Sequence, residues 1–182
     1  AGGAWVPIDW EAPVQRVLAL VGDVQPGAVV CNDPSPFCDI AARILTADAA
    51  GLRLLPLQRI EPAPMAQERG PWPSGLAQII FTSGSTGSPK GVIFSHQRVA
   101  FACHFFAQHC GIQAGTKVLQ KTPYIWAVFR HEVFPAICRG GQLVVAAPEQ
   151  RKDPRQLAEL VRAQSVEVLV ATPSVLELVV DA

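Results

Sequence analysis

The chain has 182 residues, and fifteen lysines and arginines balance fifteen aspartates and glutamates, so its formal net charge is zero. That balance excludes the basic footprint of a nucleic-acid binder or of a protein held by charge to an anionic membrane surface. Apolar residues make up 49% with a mean hydropathy of +0.25, which suits a buried α/β core, yet no apolar run approaches the ~20 residues of a membrane-spanning helix.

Taken in chain order, the pattern alternates. Pro13–Val21 reads as a helix and Ala28–Cys31 as a short apolar strand, followed by a turn at Asp33–Pro36. Ala41–Ala49 is mixed and Leu52–Leu57 is apolar. Ile60–Gly75 holds four prolines and reads as surface loop. Leu76–Thr82 is a strand and Val92–Ser95 a second apolar run. Gln97–Cys110 is a helix, with His96 a candidate cap before it, and Val118–Lys121 is a strand. Glu132–Cys138 is helical, and Leu143–Ala147 is a continuous apolar strand of the kind a sheet covered on both faces buries. Asp153 is an N-cap with Pro154 at the first helical position, and Leu157, Leu160 and Val161 form one helical face. Val166–Ala171 is a further strand, and Val175–Val180 a last helix after the Thr172-Pro173 turn. Strands alternating with helices argue for an α/β fold built on mostly parallel sheet flanked by helices.

Five cysteines, an odd number, read as reduced thiols in a cytoplasmic protein. The run Cys103-His-Phe-Phe-Ala-Gln-His-Cys110 invites a metal reading. Residues seven apart lie about two turns, roughly 10 Å, along a helix, too far for one tetrahedral ion. Ala100, Cys103, Ala107 and Cys110 instead recur as a small-residue packing face, and no metal ligand is assigned.

The most informative stretch is Gln78–His96, QIIFTSGSTGSPKGVIFSH. Between two apolar runs lies a loop suited to gripping a polyphosphate. Gly84, Gly87 and Gly91 let the backbone bend toward a ligand; Thr82, Ser83, Ser85 and Thr86 supply hydroxyls; Lys90 supplies a mobile positive charge, with Pro89 fixing the backbone before it. The Walker pattern fails on spacing, because Lys90 follows Gly87 by three residues and Gly91 takes the Ser/Thr place. The dinucleotide fingerprint G-x-G-x-x-G fails too.

The segment Thr82–Val92, TSGSTGSPKGV, closely resembles the phosphate loop of the adenylate-forming superfamily, which comprises acyl-CoA ligases, luciferases and the adenylation domains of non-ribosomal peptide synthetases. Further landmarks agree in order and spacing. Ala1–Asp9 resembles the AGGAYVPLD segment of peptide-synthetase domains, and Lys121–Tyr124 their KTP segment. Arg139–Ala146 resembles a strand of that family, Asp153–Leu160 the helix after it, and Thr172–Ser174 a proline turn. The resemblance spans the whole chain and favours the peptide-synthetase branch. It implies that residues 1–182 are part of the large N-terminal core of an adenylation domain, incomplete at both ends and without the small C-terminal domain.

The same resemblance implies a reaction: a carboxylic acid and ATP give an acyl-adenylate and pyrophosphate. The acid is then passed to the phosphopantetheine thiol of a carrier-protein domain. It places ATP phosphate contacts at Thr82, Ser83, Gly84, Ser85, Thr86, Gly87 and Lys90. It implies Mg2+ as well, with a carboxylate ligand beyond Ala182, and it assigns no certain catalytic residue within 1–182. A stand-alone acyl- or aryl-CoA ligase, or a nucleotide-binding module without turnover, is the alternative.

Relatives that load α-amino acids carry a Phe-Asp-x-Ser-x-x-Glu segment whose aspartate pairs with the substrate ammonium. The corresponding run here is Trp126-Ala127-Val128-Phe129-Arg130-His131-Glu132, with Ala127 in the aspartate position. A buried ammonium without a counter-charge is strongly penalised. The expected substrate is therefore a small carboxylic acid lacking an ordinary α-ammonium, such as a keto, hydroxy, aryl or other acyl acid, or an amine held elsewhere; the alternative is that the segment shifts register or that the domain activates nothing. Trp126, Ala127, Val128, His131 and Ala171 are the candidate pocket residues. His131 reads as a hydrogen-bonded wall residue, Arg130 as a partner for a second carboxylate or a surface ion pair, and Glu132 as an anchor for the helix that follows.

Overall fold

A computed structural model describes residues 3–9, 11–31, 53–56, 75–82 and 89–181. The chain divides into two compact units, one formed by Ile8–Gly70 and the other by Ala1–Pro7 with Pro71–Ala182. The expected turn at Asp33–Pro36, the segment Ala41–Ala49 and most of the proline-rich stretch from Ile60 lie outside the described residues.

In the smaller unit, helix α1 (Val14–Val24) buries Val17 and Val21 against Ile8, Ala12, Val14 and Leu18. Strands β1 (Ala28–Cys31) and β2 (Arg53–Pro56) pair in parallel, Ala28 opposite Arg53.

The larger unit opens with strands β3 (Leu76–Thr82) and β4 (Lys90–Ser95), an antiparallel pair that runs from Leu76 opposite Ser95 to Thr82 opposite Lys90. Trp5 occupies the other edge of β3 through a parallel bridge at Gln78, with Trp5 N–H on Ala77 O at 2.9 Å and Ile79 N–H on Trp5 O at 3.1 Å. The ring of Trp5 meets Phe134 edge-on at 6.1 Å. Helix α2 (His96–His109) follows directly. Its N-cap is Ser95, whose Oγ accepts from Arg98 N–H at 3.2 Å. His96, the residue expected to cap, is instead the first helical residue, and its Nε2 lies 3.1 Å from Gly3 O. Serine wins because its short oxygen reaches the orphan N–H groups of the first turn.

Strand β5 (Lys117–Gln120), helix α3 (Phe129–Cys138) and strand β6 (Gln142–Val145) form a crossover unit in which β5 and β6 are parallel, with Val118 opposite Leu143 and Leu119 opposite Val144. A short 3₁₀ turn at Gln150–Lys152 leads to α4 (Pro154–Gln164) and then α5 (Pro173–Val180). Asp153 caps α4, its Oδ1 accepting from Arg155 N–H at 2.9 Å. That bond, followed by one from the Gln156 side chain, holds the carboxyl below its ordinary value.

Alternation along β5 and β6 sends successive side chains to opposite faces. Val118 and Leu143 pack with Ala107, Ile112 and Ala136 of the α2–α3 side. Leu119 and Val144 pack with Leu157, Ala158 and Val179 of the α4–α5 side. Helices thus pack on both faces of the parallel pair, but the strand expected at Leu143–Ala147 runs from Gln142 to Val145 and is only half-buried, with Val145 60% exposed. Among the described residues, two of the three strand pairs are parallel and the β3–β4 hairpin is antiparallel. The expected small-residue face of α2 is also real, since Cys103 and Ala107 are its buried residues.

Two expected elements differ. Val166–Ala171 is not a full strand; Val168 alone bridges β5, in parallel with Val118. The backbone N–H groups of Glu167 and Val168 both aim at Lys117 O, at 2.9 and 3.1 Å, while Lys117 N–H turns to the Glu167 carboxylate at 3.0 Å. Two donors on one carbonyl interrupt the regular ladder. Helix α3 begins at Phe129, three residues before Glu132, so Phe129, Arg130 and His131 are helical.

Candidate functional site

The β3–β4 hairpin presents Thr82 and Lys90 as facing residues at the end of its ladder, where Thr82 Oγ1 donates to Lys90 O at 3.4 Å. Both residues are exposed. Ser83, Gly84, Ser85, Thr86 and Gly87 lie outside the described residues.

The second group of candidates sits at the carboxyl ends of the parallel strands. Val118 of β5 is in register with Leu143 of β6 and bridged to Val168. All three segments run the same way, so Lys121, Ala146 and Ala171, each three residues further on, leave the sheet on one side. That is the side where open α/β sheets place ligands. From β5 the chain enters a compact turn: Trp126 N–H donates to Pro123 O at 3.0 Å, Phe129 N–H to Trp126 O at 3.1 Å and His131 N–H to Val128 O at 2.9 Å. Trp126 and Val128 are exposed there, Trp126 to 62%, whereas Ala127, His131 and Ala171 are half-buried.

Glu132 holds this turn in place. Its side chain is fully buried, at 0% exposure. Oε2 accepts from Lys121 N–H at 3.2 Å and Thr122 N–H at 3.0 Å, and Oε1 accepts from Thr122 Oγ1 at 2.6 Å. Three donors to one carboxylate are what a charge withdrawn from water needs. The sequence expectation that Glu132 anchors the helix after it is therefore corrected. Glu132 lies within α3 and clamps the preceding Lys121–Thr122 segment, because that segment carries the free donors.

Arg130 is likewise not a surface ion pair. Its guanidinium carbon stands 4.0 Å above the centroid of the Phe94 ring on β4, and Nη1 donates to Gln78 Oε1 at 3.4 Å. Gln78 is itself 1% exposed and lies directly opposite Phe94 in the hairpin register. His131 packs on Phe106, ring centroids 5.2 Å apart, and its Nε2 accepts from Arg130 Nε at 3.4 Å. Burial, and after it the Arg130 charge, push His131 below its ordinary value. The imidazole is therefore neutral near pH 7, which suits a wall residue. Burial pushes the Cys103 thiol up to about 11, Cys138 adding to the shift and Arg130 opposing it, so Cys103 is an inert core thiol.

Sequence reasoning missed Gln78 and Phe94 as neighbours of the site. The signal was present in Gln78, a lone amide within the otherwise apolar run Leu76–Phe81. Among the described residues no group of three or more His, Cys, Asp and Glu is placed to hold a metal ion, and no helix is long and apolar enough to cross a membrane.

The family model described as AMP-binding enzyme matches residues 1–182. The chain belongs to the AMP-binding enzyme family. This AMP-binding chain is 33% identical over 178 residues to the hybrid PKS-NRPS synthetase prlS of a fungal species (strain NRRL 50135), covering 97% of this chain and 4% of that protein. It is 31% identical over 181 residues to the vanchrobactin synthetase VabF of Vibrio anguillarum, covering 96% of this chain and 6% of that protein. It thus spans only a small part of the length of these relatives. Among solved structures, a serine-to-alanine variant of the nonribosomal peptide synthetase FmoA3 bound to α-methyl-L-serine-AMP superposes with a TM-score of 0.76 at 27% identity, covering 99% of this chain and 19% of that one. The AMPPNP-bound form of the same variant also gives a TM-score of 0.76, at 27% identity over 99% of this chain and 18% of that one.

Proposed function

We propose that this chain is the phosphate-loop part of an adenylation domain that activates a carboxylic acid with ATP. A carboxylate oxygen bonds to the α-phosphorus as the bond from that phosphorus to the β-phosphate bridging oxygen breaks, and pyrophosphate leaves with its electron pair. The protein's contribution is to place and neutralise that charge. The carrying observation is the hairpin that sets exposed Thr82 opposite exposed Lys90 at the two ends of the TSGSTGSPK stretch, in a chain matched from end to end by the AMP-binding family. On this reading Thr82, Ser83, Gly84, Ser85, Thr86, Gly87 and Lys90 take the β- and γ-phosphates. Mg2+, when bound, would share that charge, and the described residues include no group of three or more His, Cys, Asp and Glu placed to hold it. The acceptor is a carrier-protein phosphopantetheine thiol.

The acid pocket on this reading is lined by Trp126, Ala127, Val128, His131 and Ala171, and the acid lacks an ordinary α-ammonium. Between Lys121 and Glu132 the sequence holds one carboxylate, Glu132, and it is committed to three donors. Arg130 adds a positive charge next to that segment. An ammonium placed there would meet no counter-charge from it.

Pyrophosphate exchange by the full-length protein, run across amino, keto, hydroxy and aryl acids, tests both statements. Exchange with a keto, hydroxy or aryl acid and loss of about 100-fold in Lys90→Ala is the expected result. Selective exchange with an α-amino acid refutes the substrate assignment. Exchange that survives Lys90→Ala unchanged refutes the phosphate-loop assignment.

A further inference from the structure

We infer that Arg130 is a positioning residue that locks the acid-binding turn to the phosphate hairpin, so that acid and nucleotide are held in register; this rests on the functional reading above. Helix α3 begins at the end of the Pro123–Phe129 turn, and its second residue sends a guanidinium across to the hairpin. The two hairpin residues that receive it, Gln78 and Phe94, face each other in one rung of the ladder. From that rung the ladder continues as Ile79–Ile93, Ile80–Val92 and Phe81–Gly91 to Thr82–Lys90, about 13 Å away at strand rise. A hydrogen-bonded ladder of that length is stiff. A shift of the rung therefore moves the Thr82–Lys90 end with it.

Glu132 fixes the same turn to Lys121 and Thr122, at the end of β5. The turn is thus held from two sides by neighbouring residues of one helix. Glu132 links it to the parallel sheet and Arg130 links it to the hairpin. Arg130 serves where lysine serves less well, since its planar fork can lie over a ring and donate hydrogen bonds in its own plane at once. The guanidinium is engaged by Gln78 and the Phe94 ring, which is why its role is positional.

The full-length protein is compared with Arg130→Met, Arg130→Lys, Phe94→Leu and the double variant Arg130→Met/Phe94→Leu. Nucleotide binding is measured first, by titration with ATP alone. Amide hydrogen exchange at Trp126, Phe129 and His131 is then followed with and without saturating ATP. In the wild type ATP should slow exchange at these amides, although they lie in the acid-binding turn. Arg130→Met and Phe94→Leu should each abolish that slowing and lower kcat for pyrophosphate exchange roughly tenfold, with a smaller change in KM. Arg130→Lys should restore part of it, and the double variant should be no worse than the worse single one. ATP binding with the slowing retained in both single variants overturns the inference. So does a lowered melting temperature with kcat per folded molecule unchanged. A wild type that binds no ATP overturns the functional reading itself, and the titration reports that separately.

Discussion

Replacing Glu132 tests the logic of the buried carboxylate most directly. Its three hydrogen bonds run to Lys121 N–H, Thr122 N–H and Thr122 Oγ1 at 3.2, 3.0 and 2.6 Å. Alanine leaves two backbone N–H groups without their acceptor, each costing about 1–3 kcal/mol, and a void where the side chain stood. The threonine hydroxyl can rotate to another partner and contributes less. Together these give a destabilisation of about 3–5 kcal/mol for Glu132→Ala. Glutamine keeps the shape: its oxygen can accept from the backbone donors while its amide donates to Thr122 Oγ1. Glu132→Gln should lose only the assistance of the charge, about 1–2 kcal/mol. Urea unfolding at neutral pH gives both values, and thermal midpoints should fall in the same order, by about 2–4 °C per kcal/mol for a chain of this size. An alanine variant within about 1 kcal/mol of wild type, or glutamine and alanine equally harmful, refutes the reasoning.

Three further outcomes follow from local geometry. A Cβ on Gly141 would lie 2.9 Å from Thr116 O and 3.3 Å from Ala136 Cα, both backbone atoms, so Gly141→Ala should destabilise by about 1–3 kcal/mol in denaturant titration. Ser165 ends α4 with φ at +53°, so Ser165→Gly should stabilise by about 0.5–1 kcal/mol, read as a raised melting temperature. His131 is depressed below its ordinary 6.5, so near and below that pH the unfolded chain binds more protons than the folded one. Stability should therefore rise with pH up to about 6.5 and flatten above it, and His131→Asn should reduce that slope; an unchanged slope in urea titrations between pH 5 and 7 contradicts the assignment.

Much of this fold is written locally. Ala28–Cys31 and Leu76–Thr82 are apolar runs bounded by turn-forming residues, and both strands occupy those bounds. Helix α4 carries its own start signal in Asp153-Pro154. Helix α3 carries none: it starts after Val128, which offers no capping oxygen, and it contains Pro135, so its first turn is set by packing and by the turn before it. The partial pairing of Val168 was equally hidden, because it depends on Glu167 reaching Lys117 across fifty residues. At the site, residue types alone singled out the loop, and of its candidates Thr82 and Lys90 are the ones among the described residues. The stacking of Arg130 on Phe94 was not legible, since strand and helix meet only through the tertiary fold.

The contrast between the hairpin and the parallel sheet has a kinetic consequence. Thr82 and Lys90 are eight residues apart, whereas the link between Lys117 and Glu167 closes fifty. On chain-closure entropy alone the longer loop is disfavoured by about 1.6 kcal/mol more. The β3–β4 hairpin should therefore assemble early, and the parallel β5–β6 sheet should zip up behind it, with the α4–α5 layer settling last. Nascent chains would then expose the ends of Leu119 and Val144 longest, which makes that surface the point where premature aggregation begins.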